Sequence, residues 1–331
     1  MNFDVLFDDF RKLRIAVVGD VMLDTYWWGK VDRISPEAPV PVIALDHKEY
    51  RIGGAGNVAL NTVSLGAETT LFSVVGDDDD ADMLLGLLQD QHVDTKYIIK
   101  SRSRITTNKI RVVSKSQQML RVDSEVTHDI VSEDEEVLLS SFTSYVKRYQ
   151  PAVVIFEDYD KGILTPTLIK GIIAVCKEHG VVTTVDPKRA HFFAYEGVDI
   201  FKPNLKEVRE ALHITAAEIN EATLREIHAE LHKVLQHKVS LITLSEKGVF
   251  FQKGSQSRIL PAHLRNIADV SGAGDTVIAV ASMVYAQTKD IRLMAGMANI
   301  AGGLVCEAVG TAAISREMLE KECHRLLGGN E

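Results

Sequence analysis

The chain alternates short, continuously apolar runs with longer stretches in which apolar residues recur every three or four positions. The short runs predict strands buried on both faces, because a continuous apolar run leaves no side for water. They lie at residues 15–18, 69–75, 153–156, 181–185 and 240–244. The longer stretches predict helices at residues 133–149, 165–179, 222–235, 273–286 and 291–309. The alternation predicts a three-layer α/β/α fold with a mostly parallel central sheet.

Two regions do not follow this alternation. Residues 40–52 read as an extended segment, and residues 107–123 read as a β-hairpin. We interpret them as a small β-sheet lid, built from about residues 20–52 and 100–125. The lid is inserted in a single predicted domain that covers the whole chain, 1–331.

Composition and charge exclude several classes of function. With 331 residues, 46% of them hydrophobic and 25% charged, the chain has the usage of a folded soluble protein. Its net charge of −9 repels nucleic acids and anionic lipid, so neither is an expected partner. The longest apolar run, 277–286, is too short to span a bilayer. Three widely spaced cysteines and no basic leader segment favour the reducing cytoplasm.

The segment 269–276, Asp-Val-Ser-Gly-Ala-Gly-Asp-Thr, leads directly into an apolar helix. Gly272, Ala273 and Gly274 let the backbone approach a ligand, and N–H groups of a first helical turn can bind an anion. Asp275 lies in that turn, where a carboxylate is electrostatically favoured and could accept a proton from a hydroxyl group. The alternative is that Asp275 only caps the helix.

A second glycine cluster, residues 53–57 (Gly-Gly-Ala-Gly-Asn), opens another helix. Its spacing Gly-x-Gly-x-x-Ala also occurs in dinucleotide folds. However, a dinucleotide fingerprint should follow the first strand, at residues 15–18, whereas this cluster follows the extended segment of the lid. We therefore reject a dinucleotide site.

Polar and small residues near this cluster fit a sugar instead. Asp24 and Asn57 are suited to bind several hydroxyl groups, and Gly53 and Gly54 provide the close backbone approach. These four residues are the candidate substrate contacts.

Two further segments follow predicted strands, at the sheet edge where α/β folds bind ligands. Asn204 and Glu207 have the spacing of a helix capping box, and Glu207 could alternatively hold Mg²⁺ beside nucleotide phosphates. Residues 245–248, Ser-Glu-Lys-Gly, follow the next strand.

These segments, in this order, resemble the signatures of the ribokinase (PfkB) family of carbohydrate kinases, and the resemblance covers nearly the whole chain. More narrowly, residues 19–27, 33–42 and 117–123 resemble the bacterial D-glycero-D-manno-heptose 7-phosphate kinases. The proline-rich stretch 33–42 is the specific one.

The resemblance implies ATP-dependent phosphorylation of the anomeric C1 hydroxyl of heptose 7-phosphate, giving the 1,7-bisphosphate used for ADP-heptose and the lipopolysaccharide core. It implies Asp275 as the catalytic base, the Gly272–Gly274 backbone as the anion hole, and Mg²⁺, with a monovalent cation as an optional second ion. It also implies a homodimer paired through the lid. The implied ATP contacts are Asn204, Glu207, Ser245, Lys247, Gly248 and Asn299.

The proposed substrate carries its own phosphate group, and a protein with a net charge of −9 needs local basic side chains to bind it. Lys109 and Arg111 share one face of the predicted hairpin, and with Arg121 they are our candidates, followed by Lys161. This assignment comes from charge and periodicity and is not carried over from the family.

Two alternative functions remain: another sugar or nucleoside kinase of the same fold, and a non-catalytic sugar-binding regulator. Asp275 and the intact glycine loop argue against the regulator. The sequence departs from the family pattern in two places: the segment 157–162 is more acidic than the family form, and Arg189 stands where glycine is expected. In addition, no nucleotidylyltransferase motif follows before Glu331, which favours a monofunctional or truncated kinase.

Three other patterns do not predict ligand sites by themselves. His228 and His232 predict a polar helix face rather than a metal site. The acidic run 77–82 predicts a helix start rather than a calcium loop. Trp27 and Trp28 could stack on a ligand or pack within the lid.

Overall fold

Helices and strands alternate along most of the chain in the computed structural model, which describes residues 2–115, 117–214, 219–263 and 265–328. The strands are β1 (Arg14–Gly19), β2 (Val21–Ile34), β3 (Pro41–Gly54), β4 (Glu68–Gly76), β5 (Asp94–Ser101), β6 (Asn108–Ser114), β7 (Gln117–Ser124), β8 (Val153–Glu157), β9 (Val182–Asp186), β10 (Ile200–Phe201), β11 (Val239–Thr243), β12 (Val249–Lys253) and β13 (Gln256–Leu260). The helices are α1 (Phe3–Phe10), α2 (Ala55–Ser64), α3 (Asp79–Asp90), α4 (Ser132–Tyr149), α5 (Pro166–His179), α6 (Leu205–Ala211), α7 (Glu221–Leu235), α8 (Ala273–Thr288), α9 (Ile291–Val305) and α10 (Arg316–Leu327).

The larger sheet of the described residues has the strand order β13-β12-β11-β10-β9-β8-β1-β4-β5. From β11 to β5 every neighbouring pair is parallel, and β12 and β13 add an antiparallel edge. All five strands predicted from continuous apolar runs belong to it. Because parallel strands align their carboxyl ends, loops from β1, β8, β9 and β11 meet at one edge.

Two hydrophobic cores lie on opposite faces of this sheet. Ile15 and Val17 of β1 contribute to one core, together with α1, α2, α8 and α9. Ala16 and Val18 contribute to the other, with α4, α5 and α7. The two-residue period of a strand sends successive side chains to opposite faces, and helices cover both. The predicted three-layer α/β/α fold is confirmed.

A smaller sheet, with strand order β3-β2-β6-β7, forms in the region predicted as a lid. Strand β2 begins among buried residues beside β1 and ends exposed, at Ile34. The Trp28 ring stacks between Tyr26 and His47, and Trp27 lies under the Lys48 ammonium group, 4.9 Å from it. Both tryptophans therefore pack within the small sheet.

The end of α9 differs from the prediction. The pattern predicts a helix over 291–309, but α9 ends at Val305. The backbone carbonyl of the next residue, Cys306, accepts hydrogen bonds from the N–H groups of Ala268 and Asp269. The helix therefore ends there, and Cys306 fixes the position of Ala268 and Asp269, which lead into the glycine loop.

Helices α8 and α9 are the most apolar of the described helices and are buried over most of their length. Within the described ranges, no helix is both long enough and apolar enough to cross a bilayer.

The prediction of a polar helix face at His228 is wrong. His228 is buried on α7, and its Nδ1 lies 2.8 Å from the Ser240 hydroxyl oxygen, which also contacts Nε2 of the buried His237 at 2.6 Å. Burial, followed by the neighbouring imidazole of His232, lowers the pKa of His228 to about 4. Burial and the imidazoles of His228 and His232 lower the pKa of His237 to about 3.

These imidazoles predict acid sensitivity of the fold. Below pH 6.5 the unfolded chain takes up protons that the folded protein rejects, so stability falls as the pH drops from about 6.5 towards 3, and the fully buried His237 alone accounts for roughly 2 kcal/mol of the loss at pH 5. Calorimetric unfolding at pH 7.5 and pH 5 measures the loss. The double variant His228→Gln/His237→Gln should flatten the dependence, and an unchanged slope in that variant would contradict the assignment.

Candidate active site

Three carboxylates meet where β8, β9 and α8 converge. Glu157 ends β8 and pairs in register with Asp186, which ends β9. Asp275 reaches them from the first turn of α8. Each of the three offers a carboxylate oxygen that lies within 4.8 Å of the other two, and all three residues are buried. The parallel sheet thus concentrates negative charge at its ligand-binding edge.

Asp275 is held by two hydrogen bonds. The Tyr159 hydroxyl donates to Oδ1 at 2.7 Å, and the Asn57 side-chain amide donates to Oδ2 at 2.7 Å. Burial raises the pKa of Asp275, the two hydrogen bonds oppose this rise, and the nearby Asp186 adds to it. Fixed donors on both oxygens orient the carboxylate and favour its ionised form.

Asp20 positions the loop that carries Tyr159. Its carboxylate, just after β1, accepts hydrogen bonds from the backbone N–H groups of Tyr159, Lys161 and Ile163 at 2.7, 3.1 and 3.2 Å. These bonds connect the end of β1 to the loop after β8, so the Tyr159 hydroxyl is aimed at Asp275.

The glycine loop requires glycine at Gly272, whereas a side chain at Gly274 would make only ordinary contacts. Gly272, the N-cap of α8, has φ of 76°, and a Cβ there would lie 2.7 Å from the Asn57 amide nitrogen. A Cβ on Gly274 would lie 3.4 Å from Asp186 Oδ2. Together with Ala273, these residues bring the backbone of the helix start against the three carboxylates. The first turn of a helix leaves N–H groups for an anion.

Two lysines stand beside the carboxylates. The buried Lys202 places Nζ 2.7 Å from Asp186 Oδ2. Lys188 places Nζ 2.8 Å from Glu207 Oε1 and 3.7 Å from Asp186 Oδ1. Burial acts to lower the pKa of Lys188, but the carboxylates of Asp186 and Glu207 outweigh it and hold that pKa above its ordinary value. Lysine side chains placed in this way are typical partners of phosphate oxygens.

Some carboxylate oxygens of the site have no hydrogen-bond donor. Both oxygens of Glu157 and Oδ1 of Asp186 are buried without one. Oxygen donors of this kind suit a hard divalent cation such as Mg²⁺. The residues of the site therefore fit a metal ion.

The predicted capping box is present at Asn204 and Glu207. Asn204 Oδ1 accepts from the Glu207 backbone N–H at 2.9 Å, and Glu207 Oε2 accepts from the Asn204 backbone N–H at 2.8 Å. Asn204 also forms a parallel β-bridge with Thr243, which places the start of α6 beside the end of β11. Metal binding by Glu207 stays a prediction.

The other candidate nucleotide contacts gather around Pro261. Ser245 and Lys247 lie in a 3₁₀ turn after β11, and Gly248 follows with φ of 93°. A Cβ on Gly248 would lie 2.7 Å from the Pro261 carbonyl carbon. The Asn299 amide of α9 donates to the Pro261 carbonyl oxygen at 2.8 Å. The structure therefore brings Gly248 and Asn299 together, although they are far apart in sequence.

The candidate sugar contacts meet at the base of the small sheet. A Cβ on Gly53 would lie 2.5 Å from Asp24 Oδ2, and Gly54 has φ of 60° at the start of α2. Arg111 Nη1 donates to Asp24 Oδ1. Asn57, in the first turn of α2, links this region to Asp275.

Three of the predicted phosphate-binding cations, Lys109, Arg111 and Arg121, lie on the small sheet, and Lys161 lies in the loop after β8. Lys109 and Lys161 both approach the Glu125 carboxylate, at 3.8 and 2.8 Å. Arg111 pairs in register with Arg121, whose Nε lies 2.9 Å from Asp123 Oδ1. Phosphate binding by these cations stays a prediction.

Sequence reasoning missed five residues of the site as functional candidates. They are Glu157, Tyr159, Asp186, Lys188 and Lys202. The available signal was position, because each follows the end of a buried strand of the parallel sheet.

Solved structures identify the fold class. The chain resembles phosphofructokinase-2 from Escherichia coli in complex with potassium, with a TM-score of 0.80 and 16% identity over 96% of this chain and 99% of that one. It also resembles Arabidopsis thaliana ribokinase complexed with ribose and ATP, with a TM-score of 0.73 and 17% identity over 93% and 99% of the two chains. The fold is ribokinase-like.

The family is defined by sequence. Residues 12–318 match the pfkB family of carbohydrate kinases. The chain belongs to this family.

Curated relatives narrow the comparison. The bifunctional protein HldE of Sulfurimonas denitrificans is 38% identical over 308 residues, which are 93% of this chain and 64% of that protein. The protein of the same name from Geobacter sulfurreducens is 37% identical over 315 residues, 95% of this chain and 64% of that protein. The chain spans a little under two thirds of the length of these relatives.

Proposed function

We propose that the protein transfers the γ-phosphoryl group of ATP to the C1 hydroxyl of D-glycero-D-manno-heptose 7-phosphate. The product is the 1,7-bisphosphate, a precursor of the ADP-heptose used for the lipopolysaccharide core. The single observation that carries the proposed reaction is the buried Asp275 carboxylate, fixed by Asn57 and Tyr159 directly after the glycine loop. The heptose assignment rests on the motifs at 19–27, 33–42 and 117–123, and the similarity to proteins named HldE supports it.

The proposed reaction is an in-line transfer. The C1 hydroxyl oxygen attacks the γ-phosphorus of ATP, the bond from that phosphorus to the β,γ-bridging oxygen breaks, and ADP leaves. Asp275 accepts the hydroxyl proton. The backbone of Gly272, Ala273 and Gly274 stabilises the charge that develops on the transferred group, and Lys188 and Lys202 neutralise phosphate oxygens nearby.

The cofactors are ATP and Mg²⁺. Magnesium, when bound, neutralises phosphate oxygens of the nucleotide. Asn204, Ser245, Lys247, Gly248 and Asn299 are the proposed nucleotide contacts. A monovalent cation is an additional candidate, because the E. coli phosphofructokinase-2 structure contains potassium.

The three cysteines are buried free thiols, which agrees with the proposed cytoplasmic location.

A coupled assay of ADP release with a panel of sugars tests the function. We expect turnover with heptose 7-phosphate and little with unphosphorylated heptose, ribose or adenosine. The reason is that Lys109, Arg111 and Arg121, the proposed phosphate contacts, have no anion to bind in a substrate without a phosphate group. Phosphorus NMR of the product should show the new phosphate coupled to the anomeric proton. If only unphosphorylated sugars or nucleosides react, the heptose assignment is wrong while the family assignment stands.

We also propose a homodimer that pairs through the small sheet. Strand β7 is an exposed edge strand, and an unpaired edge invites another strand. Exposed apolar residues of this sheet and its loops are Ile34, Val40, Leu45, Met119, Leu120 and Val122. Leu120 and Val122 share one face of β7 by the two-residue period of a strand, and exposed apolar residues placed side by side typically mark an interface.

Breaking this apolar surface should yield monomers. The double variant Leu120→Asp/Val122→Asp places charge where the partner would pack, so sedimentation velocity should show half the wild-type mass. Val234→Asp, at a comparably exposed valine of α7, is the matched control and should not change the mass. A monomeric wild type, or a double variant that stays dimeric, would rule out this interface.

A further inference from the structure

A cavity lies at the edge of the central sheet opposite the candidate active site. Its volume is about 390 Å³, and its lining includes Val182, where β9 begins, and Lys238, which precedes β11. Because β9, β10 and β11 are parallel, their amino ends lie at this edge and their carboxyl ends lie at the other. Lys289, directly after α8, also lines the cavity, whereas Asp275 is in the first turn of that helix. The 16 residues of α8 therefore put about 24 Å between the two places.

The lining of this cavity is basic. It contains four lysines from four different parts of the fold, namely Lys177, Lys238, Lys253 and Lys289. Asp199 is the one carboxylate among the described residues that line it, and both of its oxygens are already bonded. Its Oδ1 lies 2.7 Å from Lys238 Nζ, and its Oδ2 accepts from the Thr183 backbone N–H at 2.8 Å. Asp199 therefore neutralises Lys238 and leaves three lysines.

These three lysines lack a carboxylate partner. In the part of the chain that the structure describes, Lys177, Lys253 and Lys289 form no ion pair, although Lys238 does. Lys253 and Lys289 lie over the ring of the buried Tyr285, with Nζ 5.8 and 5.1 Å from its centroid. Burial lowers the pKa of Lys289, and the ammonium groups of Lys238 and Lys253 lower it further against the opposing charge of Asp199. The ammonium groups repel one another, and an anion between them would relieve this repulsion.

Helix ends compensate only part of this charge. Helices α5 and α8 both end at residues that line the cavity, and a helix C-terminus carries about −0.5 of an elementary charge. Their sum of about −1 stands against three ammonium groups, so about two positive charges remain. This local excess is opposite in sign to the net charge of −9 of the whole protein. It matches the charge of a dianion.

We propose that this cavity binds a small anion that carries at least two negative charges on linked phosphate groups, as pyrophosphate and nucleoside diphosphates do. Ammonium groups on separate elements can each donate to a different phosphate oxygen. The inference goes beyond the proposed function, because none of the four lysines belongs to the candidate active site.

Calorimetric titration of the full chain with inorganic pyrophosphate at low ionic strength tests the site. The variant Lys253→Gln/Lys289→Gln removes two of the ammonium groups and should weaken binding in the cavity at least about tenfold. The double variant should therefore show one class of binding site fewer than the wild type. This difference is expected whether or not pyrophosphate also binds at the glycine loop, so the test is independent of the proposed kinase activity.

Two further variants separate this site from a general effect of charge. Lys96→Gln/Lys321→Gln removes the same charge from exposed positions elsewhere, and Lys96 also lies over a tyrosine ring, that of Tyr97, at 5.3 Å. Its affinity should stay within about twofold of wild type, because solvent and salt screen distant surface charges. Lys253→Arg/Lys289→Arg keeps the charge and should bind within about threefold of wild type.

Thermal unfolding distinguishes lost binding from lost folding. Each variant should unfold cooperatively without ligand, and saturating pyrophosphate should raise the midpoint of the wild type more than that of Lys253→Gln/Lys289→Gln. Titrations with ADP and inorganic phosphate identify the source of the phosphate groups. We expect ADP to bind in the cavity about as tightly as pyrophosphate, and inorganic phosphate more weakly; much tighter binding of ADP would support the site with a nucleotide as its ligand.

The proposal is overturned by either of two results. One is the same number of binding classes, with the same affinities, in the wild type and in Lys253→Gln/Lys289→Gln. The other is an equal loss of affinity in Lys96→Gln/Lys321→Gln, which would show that pyrophosphate responds only to the total charge of the protein.

Discussion

Asp275→Asn is expected to lower kcat by about 10³-fold, because the amide cannot accept the proton of the attacking hydroxyl. The hydrogen bonds from Asn57 and Tyr159 hold this carboxylate in one orientation in the first turn of α8. The KM for ATP should change little, since Asp275 acts on the acceptor. Steady-state kinetics with the accepted sugar measures both quantities.

The matched control is Asp290→Asn. Asp290 caps α9 by accepting from the backbone N–H groups of Arg292 and Leu293, and it is not part of the site. It should cost about 1 kcal/mol of stability or less without lowering kcat. Full-speed turnover by Asp275→Asn would refute the enzymatic mechanism proposed for this site.

Gly272→Ala is expected to lower kcat by about 10²- to 10³-fold, the effect of disturbing an anion-stabilising loop. The new methyl group would meet the Asn57 amide at 2.7 Å, and the residue has φ of 76°, which disfavours any side chain. The helix start and Asn57 must separate, so both the anion hole and the support of Asp275 are altered.

Gly254→Ala separates backbone strain from this local clash. Gly254, between β12 and β13, also has positive φ, of 55°, but a Cβ there meets nothing within 4 Å. Both variants should lose about 1 kcal/mol of unfolding free energy to the left-handed conformation, and only Gly272→Ala should lose turnover. If the two variants had equal kcat values, close packing at Gly272 would be irrelevant to catalysis.

The central sheet could be predicted because its strands are continuous apolar runs. Residues 153–156 and 181–185 are buried on both faces, so their sequence carries the signal directly. The glycine loop could be predicted because Gly272 has both a conformational and a steric reason to be glycine. The predicted capping box at Asn204 was confirmed for the same reason, since its chemistry is local.

Features that depend on strand order could not be predicted in the same way. Glu157 and Asp186 become neighbours only because β8 pairs with β9, and Arg111 reaches Asp24 only because β6 pairs with β2. His237 is polar and follows a helix, so nothing local indicated its complete burial. The two strand pairings join segments that are far apart in sequence, and no local pattern in either segment indicates its partner.

Strand β2 connects the main body of the molecule to the small sheet. It is rooted beside Asp20 and carries Asp24 at its inner end, while Asp275 is mounted on α8 in the main body. The proposed sugar contact Asp24 and the proposed base Asp275 therefore lie on different structural elements. Substitutions in the small sheet can alter the proposed sugar contacts there without moving Asp275.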